Sequence, residues 1–249
     1  MSENVSSNVL FHFTKLMKNL KSILRDGFFP HYCPEYTLDP GDRKAASKGR
    51  PPMYAAPLVC FCDLPLSLIC KHLEAYGHFG IGLDKKWGLR NGVAPVIYTH
   101  PKAQTRQPIL RLTAKVAKGG NETQANDLKL LAAYTKPFSG PAWRNNRVEL
   151  KVTFYDEREW RYVPVVRGAE QLFLGKEDYD NNSKKNALHR RFKKQNALPI
   201  FPDDIQYLLV PNDNLILELH EYLIGLYDRE DAILVTSAIM TTDRIQEDV

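Results

Sequence analysis

The run Phe154-Tyr155-Asp156-Glu157-Arg158-Glu159-Trp160-Arg161-Tyr162-Val163-Pro164 places three acidic residues, two arginines and several aromatic rings at the junction of two apolar stretches. Glu157 and Glu159 stand two residues apart, so an extended backbone would point both at one face. Paired carboxylates repel one another, and burial would raise at least one pKa unless the arginines compensate. Such a pair suits a site that stabilises a cationic transition state. The same pattern also fits an edge strand carrying a surface ladder of ion pairs.

The elements that must position these residues read as follows. Leu150–Tyr155 has the pattern of a strand, and 160–166 that of a second extended segment. Upstream, 9–14 is a short strand containing His12, and Thr14 stands where a helix N-cap belongs. Leu16, Leu20, Ile23 and Leu24 keep helical period up to Gly27. Residues 28–57, rich in proline, read as irregular. A strand is expected over 57–62, a helix over 66–76, and a glycine-thinned strand over 79–83. Lys85-Lys86-Trp87 reads as a turn or short helix, and 95–98 as a further strand. Helix-favouring composition surrounds 109–117 and 123–134, and 168–199 reads as a polar, basic, helical or flexible insertion. A strand over 205–211, a helix over 215–227, a strand over 232–236 and a short terminal helix complete the chain. The architecture expected is α+β, one domain spanning 1–249 with a basic insertion.

Composition is ordinary for a globular protein: 249 residues, 43% hydrophobic and 25% charged. No apolar run is long enough to span a bilayer, and the N-terminus lacks a secretory pattern, so a cytoplasmic location is expected. Cys33, Cys60, Cys62 and Cys70 fit no common zinc spacing, even with His72 added, and no metal is expected. The formal net charge of +5 is clumped. Arg43, Lys44, Lys48 and Arg50 form one group; Lys184, Lys185, Arg190, Arg191, Lys193 and Lys194 form another. Such clusters fit a polyanionic partner, nucleic acid foremost, and equally fit solvated loops.

His12 with Thr14, Asp63–Ser67, Tyr76–Gly82 and Glu157–Glu159 each lie at a strand end or turn. Glycines 77, 80 and 82 would let backbone approach a nucleotide closely. There is no phosphate-binding GxxxxGK[ST], no GxGxxG opening a helix and no GxSxG elbow. Structural alternatives stand beside each residue: His12 as a satisfied core histidine, Thr14 or Ser67 as a helix cap, Asp63 in an Asx-turn, Tyr76 in packing, and Glu159 as an ion-pair partner of Arg158 or Arg161.

The strings Leu10–Thr14, Val59–Ser67, Tyr76–Leu83 and Glu157–Pro164 resemble the AbiGi-like family of abortive phage-resistance proteins over nearly the whole chain. That family carries an antitoxin label. More distantly, an aromatic-His-x-Thr strand followed by Asn19-Leu20-x-x-Ile23-Leu24-x-x-Gly27 is similar to DarT-like ADP-ribosyltransferases. That second resemblance implies an ADP-ribosyltransferase-like split β-sheet core and NAD as co-substrate. By it, His12 and Thr14 would hold the adenosine-side ribose, Ser67 would line the NAD site, and Tyr76 or Phe79 would stack on nicotinamide. Glu159 would stabilise the oxocarbenium-like transition state, with Glu157 orienting the acceptor.

Three functions are therefore expected in competition. The first is an NAD-dependent ADP-ribosyltransferase toxin of phage defence, acting on single-stranded RNA or DNA and restrained by a cognate antitoxin. The second is a catalytically silent antitoxin or binding module of an abortive-infection system. The third is a protein-directed transferase.

Overall fold

The computed structural model describes residues 7–248, apart from 37, 39, 53, 120, 145–146 and 165–172, and without the side chains of 40–43, 113–114, 116–119 and 122. The elements run in chain order. First come β1 (Val9–Thr14), α1 (Met17–Asp26), β2 (His31–Glu35), α2 (Pro40–Ser47), β3 (Tyr54–Cys62), α3 (Cys70–Tyr76), β4 (Phe79–Asp84) and α4 (Lys85–Arg90). Then follow β5 (Ala94–Pro95), β6 (Ile97–Thr99), α5 (Arg106–Gly119), α6 (Glu122–Ala133), β7 (Thr135–Pro137), β8 (Ser139–Arg144), β9 (Arg147–Thr153) and β10 (Glu159–Tyr162). The last are β11 (Leu174–Gly175), α7 (Lys176–Asp180), α8 (Asn182–Gln195), β12 (Ile205–Val210), α9 (Asn214–Leu226), α10 (Arg229–Ser237), β13 (Ile239–Thr241) and α11 (Thr242–Glu247). Helices and a mixed sheet make the protein α+β, as the sequence pattern indicates.

The chain divides into two compact units, one comprising 1–28, 60–94 and 197–249, the other 29–59 and 95–196. In the first unit β1 lies between β4 and the last residues of β3, antiparallel to both, with His12 opposite Ile81 and Thr14 opposite Phe79. β12 continues the sheet antiparallel to β4, and β13 closes it parallel to β12. The core is made where the inward faces of these strands meet α1 and α4: Leu10, Leu20, Ile81, Leu83 and Trp87 are fully buried. The Trp87 indole N–H donates to the carbonyl of Pro199 at 2.9 Å, so burying this ring leaves its polar atom paired.

The glycines of β4 are explained by this packing. A Cβ on Gly82 would stand 2.7 Å from a ring carbon of Phe11, and one on Gly80 would stand 3.1 Å from Phe13. The space that suggested close approach of a nucleotide is taken by the rings of β1. Gly77 turns the chain out of α3 at φ 115, where a Cβ would also meet the Thr14 carbonyl at 2.4 Å.

In the second unit the first residues of β3 pair antiparallel with β2 and β11. β6 pairs parallel with β7, and β8 forms an antiparallel ribbon with β9. Asn181 caps α8, its side chain accepting from the Lys184 N–H at 3.1 Å, and Phe192 anchors that helix to Tyr32, Ala55 and Leu174.

Several local expectations are corrected. The stretch 28–57 is not irregular throughout, because it forms β2 and α2. The helix expected over 66–76 splits into a 3-10 turn, Leu66–Leu68, and α3, whose N-cap position is Ile69 rather than Ser67. Thr14 does not cap α1; that position is Leu16, and the Thr14 hydroxyl instead accepts from the Asn19 amide at 2.9 Å. The strand expected over 232–236 is helical. Ala232 and Val235, three apart, are buried while Ile233 and Leu234 are exposed, and the Asp228 carboxylate caps the Asp231 N–H at 3.0 Å. An apolar run read without its upstream cap was mistaken for β. The insertion supplies α7 and α8; its residues 168–172, and 165–166 of the extended segment, lie outside the described residues.

Candidate functional site

The acidic-aromatic run does not form one continuous strand. β9 ends at Thr153, Phe154–Glu157 is a 3-10 turn, and Arg158 adopts the left-handed conformation with φ 43 and ψ 49 before β10 starts at Glu159. Glu157 and Glu159 therefore do not share a face through alternation, as an extended backbone would require. They converge because both reach one cation. Lys136 Nζ lies 2.9 Å from Glu157 Oε2 and 2.8 Å from Glu159 Oε2. β7 presents Lys136 opposite Tyr98 of β6, and the Tyr98 hydroxyl accepts from the Glu159 N–H at 2.9 Å. The ammonium also stands 4.3 Å from the centre of the Phe154 ring.

Arg161, two residues into β10, is fully buried. Its Nε donates to Glu159 Oε1 at 2.7 Å and its Nη2 donates to Glu159 Oε2 at 3.1 Å. Nη2 also donates to Glu35 at 2.7 Å, and Nη1 donates to the Ala133 carbonyl at 2.6 Å. Arg144 binds the other oxygen of Glu157 and reaches Glu149 at 3.4 Å. Lys136, Arg144 and Arg161 thus neutralise Glu35, Glu149, Glu157 and Glu159 almost charge for charge. Burial pushes the Glu159 carboxyl up, but Arg161 and Lys136 outweigh it and hold the group well below the usual carboxylate range. Burial likewise disfavours charge on Lys136, and Glu159, Glu157 and Glu35 overcome it, raising its pKa. Both oxygens of Glu157 and both of Glu159 are thus engaged by cations of the protein itself.

Of the ion-pair partners considered for Glu159, Arg161 is the one present. Sequence spacing carried that signal: Glu159 and Arg161 are both buried, alternating with half-buried Trp160 and Tyr162, the pattern of one strand face. Glu35, Lys136 and Arg144 were missed. They are distant in sequence and stand in short strands without a chemical motif around them.

The remaining residues singled out for chemistry fall in the first unit. The His12 Nδ1–H donates to the Cys60 carbonyl at 2.8 Å, and the ring packs edge-on to Phe28 and Phe61 at 5.0 and 5.8 Å. Phe79 opposes Thr14 across β4 and β1. Tyr76 ends α3 beside His72, with ring centres 5.7 Å apart, and Ser67 is exposed in its 3-10 turn. Asp63, buried, pairs with Lys85 at 2.8 Å. The basic residues lie in the second unit. Lys44, Lys48 and Arg50 are exposed in and after α2, and the Arg43 side chain lies outside the described residues. Lys184, Lys185, Arg190, Arg191, Lys193 and Lys194 are carried on α8.

The family model described as "Putative abortive phage resistance protein AbiGi, antitoxin" matches residues 26–211, well over half of the chain. The chain belongs to the AbiGi family. A member from Lactococcus lactis subsp. cremoris, named "Abortive phage resistance protein AbiGi", is 28% identical over 255 residues, covering 89% of this chain and 99% of that protein. No solved structure matches this AbiGi-family chain significantly. The match includes the whole ion network, from Glu35 to Arg161. Among the described residues, no helix is long and apolar enough to cross a membrane.

Proposed function

We propose that this AbiGi-family protein serves phage defence by binding, as the antitoxin-type member of an abortive-infection system with a partner protein as its target, rather than by transferring ADP-ribose. One observation carries the choice: both oxygens of Glu159 are held by Arg161, and one also by Lys136, inside the protein. A transferase glutamate would have to offer an oxygen to a ribose hydroxyl and leave its negative charge uncompensated for a developing cation. Here two cations already neutralise it. The first unit weighs in the same direction. The His12 Nδ1–H is spent on a backbone carbonyl, and the faces of Gly80 and Gly82 are filled by Phe13 and Phe11. As placed, these residues do not fit NAD. The family's antitoxin description agrees with a binding role and implies a toxin as the partner.

The test is direct. Purified protein is incubated with NAD labelled in the adenylate, together with separate RNA, DNA and protein pools. No label transfer and no nicotinamide release are expected. In cells, expression alone should leave growth unaffected, and co-expression should relieve the arrest caused by the partner encoded with it. Label transfer that disappears in Glu159→Gln, with folding verified by circular dichroism, would restore the transferase. The labelled pool would then distinguish a nucleic-acid from a protein acceptor.

A further inference from the structure

The basic insertion carries a feature that the binding role above does not use. Tyr32 and Phe192 are buried together, with Leu188 and Tyr179 packed beside them, and this fixes α8 against β2. Along the neighbouring flank of the helix, Lys185, His189 and Lys193 follow one another at four-residue spacing and so form one stripe. That stripe runs beside a short row of rings. His31, exposed at the start of β2, has its ring centre 4.7 Å from that of Phe29 and 4.7 Å from that of His189. The Lys193 ammonium stands 5.4 Å from the centre of the Phe29 ring, and that of Lys185 4.3 Å from Tyr179. Arg190 and Lys194, also four residues apart, are exposed farther round the helix.

His189 is not an additional cation of this row. His189 Nε2 accepts from the Tyr32 N–H at 3.2 Å, so that nitrogen carries no proton. Burial, with His31 and Lys185 adding to it, lowers the His189 pKa to about 4. The row thus offers planar rings edged by ammonium groups. An acidic peptide would engage the lysines and leave the rings idle, and a duplex would present phosphates but no unstacked base. Unpaired bases with a phosphate backbone use both.

We propose that Phe29, His31 and the Lys185–His189–Lys193 stripe of α8, with Arg190 and Lys194 beyond it, form a binding site for single-stranded nucleic acid, with bases stacking on the rings and the backbone curving round the helix so that Lys185, Arg190, Lys193 and Lys194 meet the phosphates. The site is independent of the partner-protein reading, and either can stand without the other.

The full chain is titrated into fluorescein-labelled single-stranded oligonucleotides, U12 and dT12, and into a DNA hairpin with as many phosphates, following anisotropy. Single strands should bind more tightly than the hairpin. The slope of log K against log salt should be about −3, as expected for four contacted phosphates at about −0.7 each. The double variant Arg190→Glu/Lys194→Glu should weaken binding at least tenfold and flatten that slope by about half. His31→Ala, at an exposed side chain, should weaken it at least fivefold without changing the slope, as loss of one stacking surface does. A stronger response to U12 than to dT12 would assign the site to RNA, and the reverse to DNA. Equal affinity for the hairpin, or an unchanged affinity in His31→Ala, would overturn the proposal in favour of an unspecific polyanion face. Competition by poly-glutamate as effective as that by the oligonucleotide would overturn it in favour of an acidic protein. Absence of binding at about 50 mM salt would overturn it outright.

Discussion

Glu159→Gln separates a structural carboxylate from a catalytic one. The substitution preserves shape but removes the charge that Arg161 and Lys136 both face. Arg161, fully buried, would keep Glu35 and the Ala133 carbonyl; Lys136 would keep Glu157, with Glu35 at 4.0 Å. Breaking a buried pair by removing one partner costs about 3–5 kcal/mol, because the remaining charge is left desolvated. Glu35 and Glu157 retain part of the compensation, so the lower end, about 3 kcal/mol, is expected. Against a total stability on the order of 5–15 kcal/mol, that is a large change in the urea midpoint at an unchanged slope. The pH dependence has a definite sign. The folded pKa of Glu159 lies below its unfolded value, so its contribution is complete above the unfolded carboxylate pKa, about 4.3, and is lost as pH falls toward the folded one. Wild type should therefore lose stability faster than Glu159→Gln as pH drops from about 5, and the two curves should converge in acid. Urea unfolding of both proteins at pH 7, 5 and 3.5 reads this out. A loss under about 1 kcal/mol at pH 7, with parallel pH profiles, would refute the structural role and leave the carboxylate available for chemistry.

Other consequences are as concrete. Lys136→Met should destabilise by about 3–5 kcal/mol at pH 7, since Glu157 and Glu159 lose their shared cation. Because the folded pKa of Lys136 is raised, its contribution is complete below about 10.4 and fades as pH rises through the folded value, which thermal melts in alkaline buffers should register. Arg158→Gly should stabilise by about 1 kcal/mol by releasing the left-handed strain, and Arg158→Val should do the opposite; both are read from urea midpoints. Gly82→Val should destabilise by at least about 1–3 kcal/mol, because its Cβ alone would press into Phe11, and a thermal shift assay suffices to see it. The Cys33 thiol, which burial and then Glu35 push up to about 12, should react with iodoacetamide at pH 8 far more slowly in native than in urea-unfolded protein, measured by mass spectrometry.

What could be read from the sequence follows the range of the interactions involved. The first strand, α1 up to Gly27, β4, β12 and α9 are all written in local periodicity and stop signals, and they form at the expected places. The turn at Phe154–Glu157 and the left-handed Arg158 were not legible. Nothing in Asp-Glu-Arg-Glu favours a left-handed arginine, and the tertiary pull of Lys136 and Arg161 on the flanking glutamates accompanies it. Similarly, Lys136 sits in a Thr-Lys-Pro strand of three residues, where only pairing with β6 gives it a role. The glycines of β4 were legible as close-approach positions, but the approaching group proved to be the protein's own aromatic rings. Long-range pairing and long-range charge are what a single sequence leaves unspecified.

The same residue types serve catalysis and architecture, and the difference lies in whether their hydrogen-bonding capacity is used up. Every nitrogen of the Arg161 guanidinium has an acceptor: Nε on Glu159, Nη1 on Ala133, and Nη2 on Glu35 and Glu159. Lys136 binds two carboxylates and lies over an aromatic face. Drawing Glu159 toward a ligand would strip Arg161 of the counter-ion it holds through two nitrogens within a buried setting, so the ligand would first have to offset several kcal/mol, on the order of what breaking such a pair costs. A partner protein bound elsewhere asks no such sacrifice. In this protein the network is better suited to fixing β2, β7, β8 and β10 of the second unit in one arrangement, and α8 packs on the β2 of that frame through Tyr32 and Phe192.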